Sequence, residues 1–410
     1  MDIIIDGKKI QYSIAQKLTA GEHIIKYIFY NDINMINMFK DVSSLISVNI
    51  SSINNGKIIG MKSSFENCTN LNFVNIEGFN LKELTSFHKL FYNSGLTGYK
   101  ITGDISSITD ISYMLSGTNI QTVNLNDILN INVLNASHLL DNCQSLKTID
   151  FSPNEVNYKL IDLSYMFNYC ESLTSLNLSS FKTHFATNMS HLFDNCIQLI
   201  YLDISNIETL SVLDMSYMFN DCHFLKNLNL SRFSTYKVTN MSHMFSQCNL
   251  IDELDISSFS IVNVQDTSHM FDYCRSLKYL HLENFKTNQI KNISNMFNYC
   301  TSLLSLNLEN FETNNVVDMS HLFQDCTSLN KIIINNELFR TDKATDMSYM
   351  FCDSIQLRQI STILFNTENV KNFKSMFSGS SSLTTLDISK FNTSQVMDMS
   401  EMFQECSSLI

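Results

Sequence analysis

The sequence predicts an α/β repeat solenoid of about fifteen 26-residue coils, each with one short parallel strand and one short helix. The prediction rests on a fixed repeat, an apolar stripe within each repeat, and an alternating apolar segment that follows the stripe. The repeat is the motif Met-Phe-x-x-Cys-x-Ser-Leu, whose anchor position is filled by Phe39, Phe65 and Phe91, then Leu115 and Leu140, then Phe167 and so on to Phe403. Most steps are 26 residues; they shorten to 24 and 25 around Leu115 and Leu140 and lengthen to 27 before Phe167 and 28 before Phe351. A near-constant step of this size means stacked supersecondary units, and stacking lets 410 residues fold without enlarging a single core.

Residues 1–33 depart from the repeat. Ile3-Ile4-Ile5-Asp6-Gly7-Lys8-Lys9-Ile10 places an Asp-Gly turn between apolar runs, and His23-Ile24-Ile25-Lys26-Tyr27-Ile28-Phe29 offers a further strand. This segment is read as an N-terminal β cap over the open end of a solenoid that occupies 34–410. The coil around Phe219 shows the design that follows. Met215, Met218, Phe219 and Cys222 fall at i, i+3, i+4 and i+7, the spacing of one face of a short helix. The residue just before that helix is Asn34, Gly60, Ser86 and then Asp or Asn in every coil to Asp398, so each helix start has a residue type suited to N-capping. Next comes Leu225-x-x-Leu228-x-Leu230, with Leu228 and Leu230 on one side of an extended segment and Asn227 and Asn229 on the other. The chain stops at Cys406-Ser407-Ser408-Leu409-Ile410, before a last strand, so a C-terminal cap is expected to be missing through truncation.

Leu-x-x-Leu-x-Leu resembles the leucine-rich repeat core. The longer pattern Met-Phe-x-x-Cys-x-Ser-Leu-x-x-Leu-x-Leu-Ser-x-Phe-x-Thr-x-x-Val-x-(Asp/Asn)-Met-Ser is similar to the BspA-type leucine-rich repeat surface proteins of mycoplasmas, other bacteria and parasitic protists, from about Asn34 to Ile410. The resemblance implies a surface or adhesion protein. The chain departs from the usual repeat by placing Phe181, Phe233, Phe259, Phe285 and Phe311 where many such repeats carry an inward Asn, which predicts an aromatic spine in place of an Asn ladder.

Composition narrows the functions open to such a body. With 44% hydrophobic and 16% charged residues and 1 Pro, the chain is expected to be ordered. A net charge of -13 with 27 Lys and Arg gives no basic footprint for nucleic acid. Met1-Asp2-Ile3-Ile4-Ile5 is not a secretory signal, and no apolar run approaches the roughly 20 residues that span a bilayer, so no membrane insertion is expected and a surface location needs an unusual route, a missing segment or a partner. Ten of the 11 cysteines share one place in the repeat and are expected to be a buried column of free thiols, which favours a reducing compartment and a cytoplasmic alternative. His138, His191, His243, His269 and His321 share a position with four tyrosines and are read as a ladder of rings facing solvent; of these only His243 and His269 fall in consecutive coils, too few for a metal site. No phosphate loop, zinc-protease motif or nucleophile elbow is present, and no cofactor, metal or catalytic residue is assigned.

What varies over the constant core is the outward side of the strand segments. Tyr201, Asp203, Asn227, Asn229, Glu253, Asp255, Tyr279, His281, Ser305 and Asn307 are therefore the candidate partner-binding strand face, with ring area beside hydrogen-bonding neighbours. The expected function is non-enzymatic binding of a protein or glycan partner at the cell surface, the alternative being an intracellular protein-protein interaction scaffold of the same fold.

Overall fold

A computed structural model describes residues 2–10, 25–52, 56–151, 159–282, 285–335, 337–360 and 365–410. Its strands are β1 (Asp2–Ile5), β2 (Lys8–Ile10), β3 (Ile25–Ile28), β4 (Ile33–Asn34), β5 (Ser47–Ser51), β6 (Ile58–Gly60), β7 (Phe73–Glu77), β8 (Gly98–Ile101), β9 (Thr122–Asn124), β10 (Thr148–Asp150), β11 (Ser175–Asn177), β12 (Tyr201–Asp203), β13 (Glu253–Asp255), β14 (Tyr279–His281), β15 (Ser305–Leu308) and β16 (Lys331–Ile334). The first three form an antiparallel sheet in the order β2-β1-β3, with Asp6 and Gly7 both left-handed in the turn between β1 and β2. From β4 onward every pairing is parallel, as stacked coils require.

The architecture is a β-solenoid whose coils alternate between a strand wall and a turn wall. Eleven strands, β5 and β7 to β16, make the strand wall, so the expected fifteen coils with a strand apiece are corrected to about eleven strand-bearing turns. Residues 226–229 after Phe219 form no strand, and the coils after Phe351 and Phe377 share a single bridge, Gln359 to Thr385.

The expected short helix in each coil is also corrected. Among the described residues the helical element is one 3₁₀ turn, Leu125–Asp127. Where a helix was expected, each coil runs through consecutive tight turns with two residues at positive φ, such as Tyr217 at 57° and Asp221 at 56°. These bonds are local: Met218 N–H donates to Met215 O at 3.3 Å, Asn220 N–H to Tyr217 O at 3.1 Å and Cys222 N–H to Phe219 O at 3.3 Å. The intervening N–H groups leave the coil altogether. Met215, Tyr217, Phe219 and Asp221 donate to Asn240, Ser242, Met244 and Ser246 of the next coil at 2.9 to 3.1 Å. A segment of eight residues is too short to be stable as a helix alone, whereas a stacked neighbour satisfies its donors at once. The left-handed positions are filled by Asn, Asp, His, Tyr and other non-glycine residues except at Gly117 and Gly379, a strain of roughly 1 kcal/mol each that the ladder offsets.

The predicted capping residues still cap, but as Asx turns at the start of the turn chain. Ser216 N–H and Oγ–H both donate to Asp214 Oδ1, at 2.8 and 2.7 Å. Their backbones also bridge coil to coil, from Ser86 and Asp110 to Asn372 and Asp398.

The core consists of aligned columns. Anchor phenylalanines stack face to face at 5.6 Å from Phe167 to Phe193, Phe219 and Phe245. The expected aromatic spine is present: Phe181, Phe233, Phe259, Phe285 and Phe311 are buried, with Phe233 and Phe259 at 6.4 Å and Phe285 and Phe311 at 6.1 Å. The polar ladder missing from that place is supplied two residues later by threonine. Thr209 Oγ1–H donates to Ser234 O at 2.8 Å and accepts Ser234 N–H at 2.7 Å, and Thr235 does the same with Ser260. All eleven cysteines are free and ten are buried. Each thiol in the column donates to the anchor carbonyl of the preceding coil, as Cys222 Sγ does to Phe193 O at 3.2 Å. Cys352 is out of register, and Ser354 and Ser380 take the column place with hydroxyl bonds to Phe323 O and Phe351 O at 2.9 and 2.7 Å.

Candidate functional site

The strand wall is where the predicted binding residues lie. Tyr201 and Tyr279 are 55% and 53% exposed, Asn227, Asn229, Glu253, Asp255, Ser305 and Asn307 are exposed, and Asp203 and His281 are half-buried. Four of them have a structural task. Asp203, Asn229, Asp255 and Asn307 each accept the N–H two residues on, from Ser205, Ser231, Ser257 and Glu309, at 2.9 to 3.1 Å. These Asx turns carry the chain from strand to turn wall and fix the side chains that make them. The hydroxyl and N–H of Ser205 and Ser257 hold the Asp203 and Asp255 carboxyls below the usual carboxylate range.

The ladder is not continuous across this face. β12 pairs only with β11 and β13 only with β14. Between them, residues 226–229 make no backbone hydrogen bond to the coil on either side, whereas elsewhere Lys278 N–H reaches Asp252 O at 2.8 Å and Leu178 N–H reaches Asp203 O at 2.8 Å. At this break a groove of about 620 Å³ opens, lined by Tyr201, Asp203, Asn227, Asn229, Glu253 and Asp255 together with Asp252 and neighbouring residues of the same coils. The structure thus brings six of the predicted residues together and leaves four outside. Tyr279 and His281 lie on the neighbouring β14, tied in by His281 Nε2 at 3.2 Å from Glu253 Oε1, and Ser305 and Asn307 sit on β15. Sequence reasoning missed Asp252 and the break itself. One signal was available: the segment 227–230 alone has Asn at both outward positions, and Asn is depleted in strands.

The turn wall carries a second ordered set of side chains. Tyr113, His138, Tyr165, His191, Tyr217, His243 and His269 form one unbroken stack with centroids 4.1 to 4.4 Å apart. His138, His191 and His269 each place Nδ1 2.7 to 2.8 Å from a carboxylate, of Asp141, Asp194 and Asp272. Amides of the next coil, Asn168, Asn220 and Asn298, donate to the other oxygen of those acids. His243 has no such partner, and burial, then the nearby His269 and His191, push it down to about 4. His243 and His269 lie parallel at 7° and 4.3 Å. Their nitrogen lone pairs lie in the ring planes, so the two rings do not converge on one ion. No cluster of three or more His, Cys, Asp or Glu able to hold a metal occurs among the described residues. The column thiols are deeply buried, and burial pushes Cys143 up to about 11 and Cys196 to about 12, away from nucleophile chemistry. No helix among the described residues is long and apolar enough to cross a membrane.

No curated protein matches the chain. Among solved structures it is similar to a leucine-rich repeat protein from Bacteroides ovatus ATCC 8483, at 13% identity over 100% of this chain and 92% of that one, with a TM-score of 0.48. A leucine-rich repeat protein from Eubacterium ventriosum ATCC 27560 is 15% identical over 83% and 84%, with a TM-score of 0.35. A leucine rich cell surface protein from Faecalibacterium prausnitzii A2-165 is 16% identical over 78% and 86%, with a TM-score of 0.32. Residues 15–128, 59–159, 161–280, 266–362 and 335–410 match one repeat family, so that almost the whole solenoid is covered. The chain therefore belongs to the family described as Mycoplasma protein of unknown function, DUF285.

Proposed function

We propose that this chain is a non-enzymatic binding protein of the surface or adhesion type, which contacts a protein or glycan partner through its strand wall. The observation that carries the reading is the division of labour between the walls. Side chains vary on the strand wall over a core that repeats, and that wall exposes Tyr201 and Tyr279 beside carboxylates and amides fixed by Asx turns. Rigid aromatic and polar groups of this kind supply contact area at low entropic cost. The BspA-type pattern in the repeat supports a surface location. In this reading residues 1–33 act as the cap, and the Tyr27 ring set edge-on to Phe39 at 6.2 Å is the contact that would seal the first coil.

The second reading, an intracellular scaffold, draws on the cysteine column. Its thiols serve as hydrogen-bond donors, which suits a reducing compartment. Protease shaving of intact source cells, with a cytosolic marker as control, separates the two. Release of peptides from this chain before lysis supports the surface reading; retention until lysis sinks it and leaves the scaffold.

A further inference from the structure

At the break in the ladder between β12 and β13, a cavity, open backbone and a set of carboxylates with no Lys or Arg in the lining coincide. Residues 226–229 have backbone donors and acceptors without a partner in the adjacent coils. Backbone polar groups are strong and obligatory hydrogen-bonding groups, and an extended polypeptide presents a matching row of them. Around this open backbone stand the carboxylates of Asp203, Asp252, Glu253 and Asp255, while no Lys or Arg lines the groove. Tyr201 borders it with an exposed ring able to cover a cationic group.

We propose that this groove takes an extended, Lys- or Arg-bearing segment of a protein partner, whose backbone meets the unpaired groups at residues 226–229 and whose cations meet Asp203, Glu253 and Asp255. The inference rests on the strand-wall reading and names the chemistry of the partner. Charge decides between the two partner classes. Amides and a ring alone would serve a neutral glycan equally well, but four carboxylates with no Lys or Arg in the lining favour a positive ligand. The Asx turns hold Asp203 and Asp255 in place before binding, so little side-chain freedom is lost when the ligand arrives.

The test uses the full chain and a fluorescent, end-blocked peptide of alternating Lys and Thr, read by anisotropy at low and physiological salt, with a Ser/Thr peptide of equal length as the neutral control. Asp203→Asn, Glu253→Gln and Asp255→Asn combined remove charge but keep the side-chain oxygens that make the turns, so folding is preserved. A second triple variant, Glu312→Gln, Glu337→Gln and Glu368→Gln, removes the same charge outside the groove. The expected result is binding of the Lys/Thr peptide over the neutral one, weakened about tenfold or more by the groove variant and little by the distant one. Equal weakening by both, or no preference over the neutral peptide, overturns the inference. A panel of neutral oligosaccharides is run on the same proteins: glycan binding that the groove variant abolishes overturns the peptide occupant yet leaves the strand wall as the binding face.

Discussion

The two walls of this solenoid solve the same stacking problem with different completeness. On the turn wall the donation of alternate N–H groups to the next coil runs from Met35, which donates to Gly60 O at 2.8 Å, to Gly379, which donates to Gln404 O at 2.8 Å. On the strand wall the ladder comes in separate sheets of two or three strands, and between β12 and β13 it lapses altogether. The difference teaches where integrity resides. The turn wall, the anchor phenylalanines, the thiol column and the threonine ladder hold coil to coil, which releases the strand wall from strict pairing and allows its side chains to vary.

The comparison can be broken first at the anchor stack. Phe219→Ala removes a fully buried ring from between Phe193 and Phe245 and is expected to destabilise the chain by about 4 kcal/mol in urea unfolding. Tyr201→Ala, on the other wall, should stay within about 0.5 kcal/mol. Comparable losses at both sites would remove the distinction. At the thiol column, Cys222→Ala leaves Phe193 O without its donor and is expected to lose about 2 kcal/mol. Cys222→Ser should lose less, because Ser354 and Ser380 already occupy this place with intact bonds. If alanine and serine are equivalent there, the thiol is a filler and not a donor.

Smaller effects sharpen the contrast. Asn227→Val replaces a residue ill suited to strands and is expected to extend the ladder across the break, raising stability by up to about 1 kcal/mol and slowing amide exchange at residues 226–229. Unchanged exchange would show that side-chain propensity is not what opens the sheet. A further contrast is a pH slope from the turn wall. His243 is held at about 4 in the folded chain, below the roughly 6.5 of an unfolded histidine, so the unfolded chain binds more protons in between. Its contribution is intact above about pH 6.5 and is lost as pH falls toward about 4. His243→Asn, which places there the residue type found at Asn295, should flatten the stability profile over that window, apart from a pH-independent loss of the ring's stacking between Tyr217 and His269.

Much of this was legible because burial period and stacking are written in the repeat. Met215, Met218, Phe219 and Cys222 are all buried as their spacing requires, Asp214 caps as its type suggests, and Phe233 and Phe259 replace an Asn ladder as their position implies. The helix was not legible correctly because a chain of tight turns with left-handed residues every four positions buries the same four side chains as a 3.6-residue helix. The distinguishing signal lies at Tyr217 and Asp221, positions filled down the chain mostly by Asn, Asp, His and Tyr, otherwise by Gly, Ser, Lys, Gln or Glu, and never by the straight-chain apolar residues that helices favour. Of the candidate site, the variable outward positions could be read directly. The groove could not, since a missed pairing depends on how neighbouring coils sit and leaves only the doubled Asn227 and Asn229 as a trace.

The turn wall has a polarity along the solenoid axis. At one coil boundary after another the N–H groups of alternate residues, such as Met215, Tyr217, Phe219 and Asp221, point toward the following coil, and the carbonyls that receive them point back. Peptide dipoles of about 3.5 D therefore add along the axis, as they do in an α-helix, but with the opposite sense relative to the chain direction. The end near Phe403 is the positive pole and the end near Phe39 the negative one, so the stack carries an axial electric field that reports which way the coils were wound.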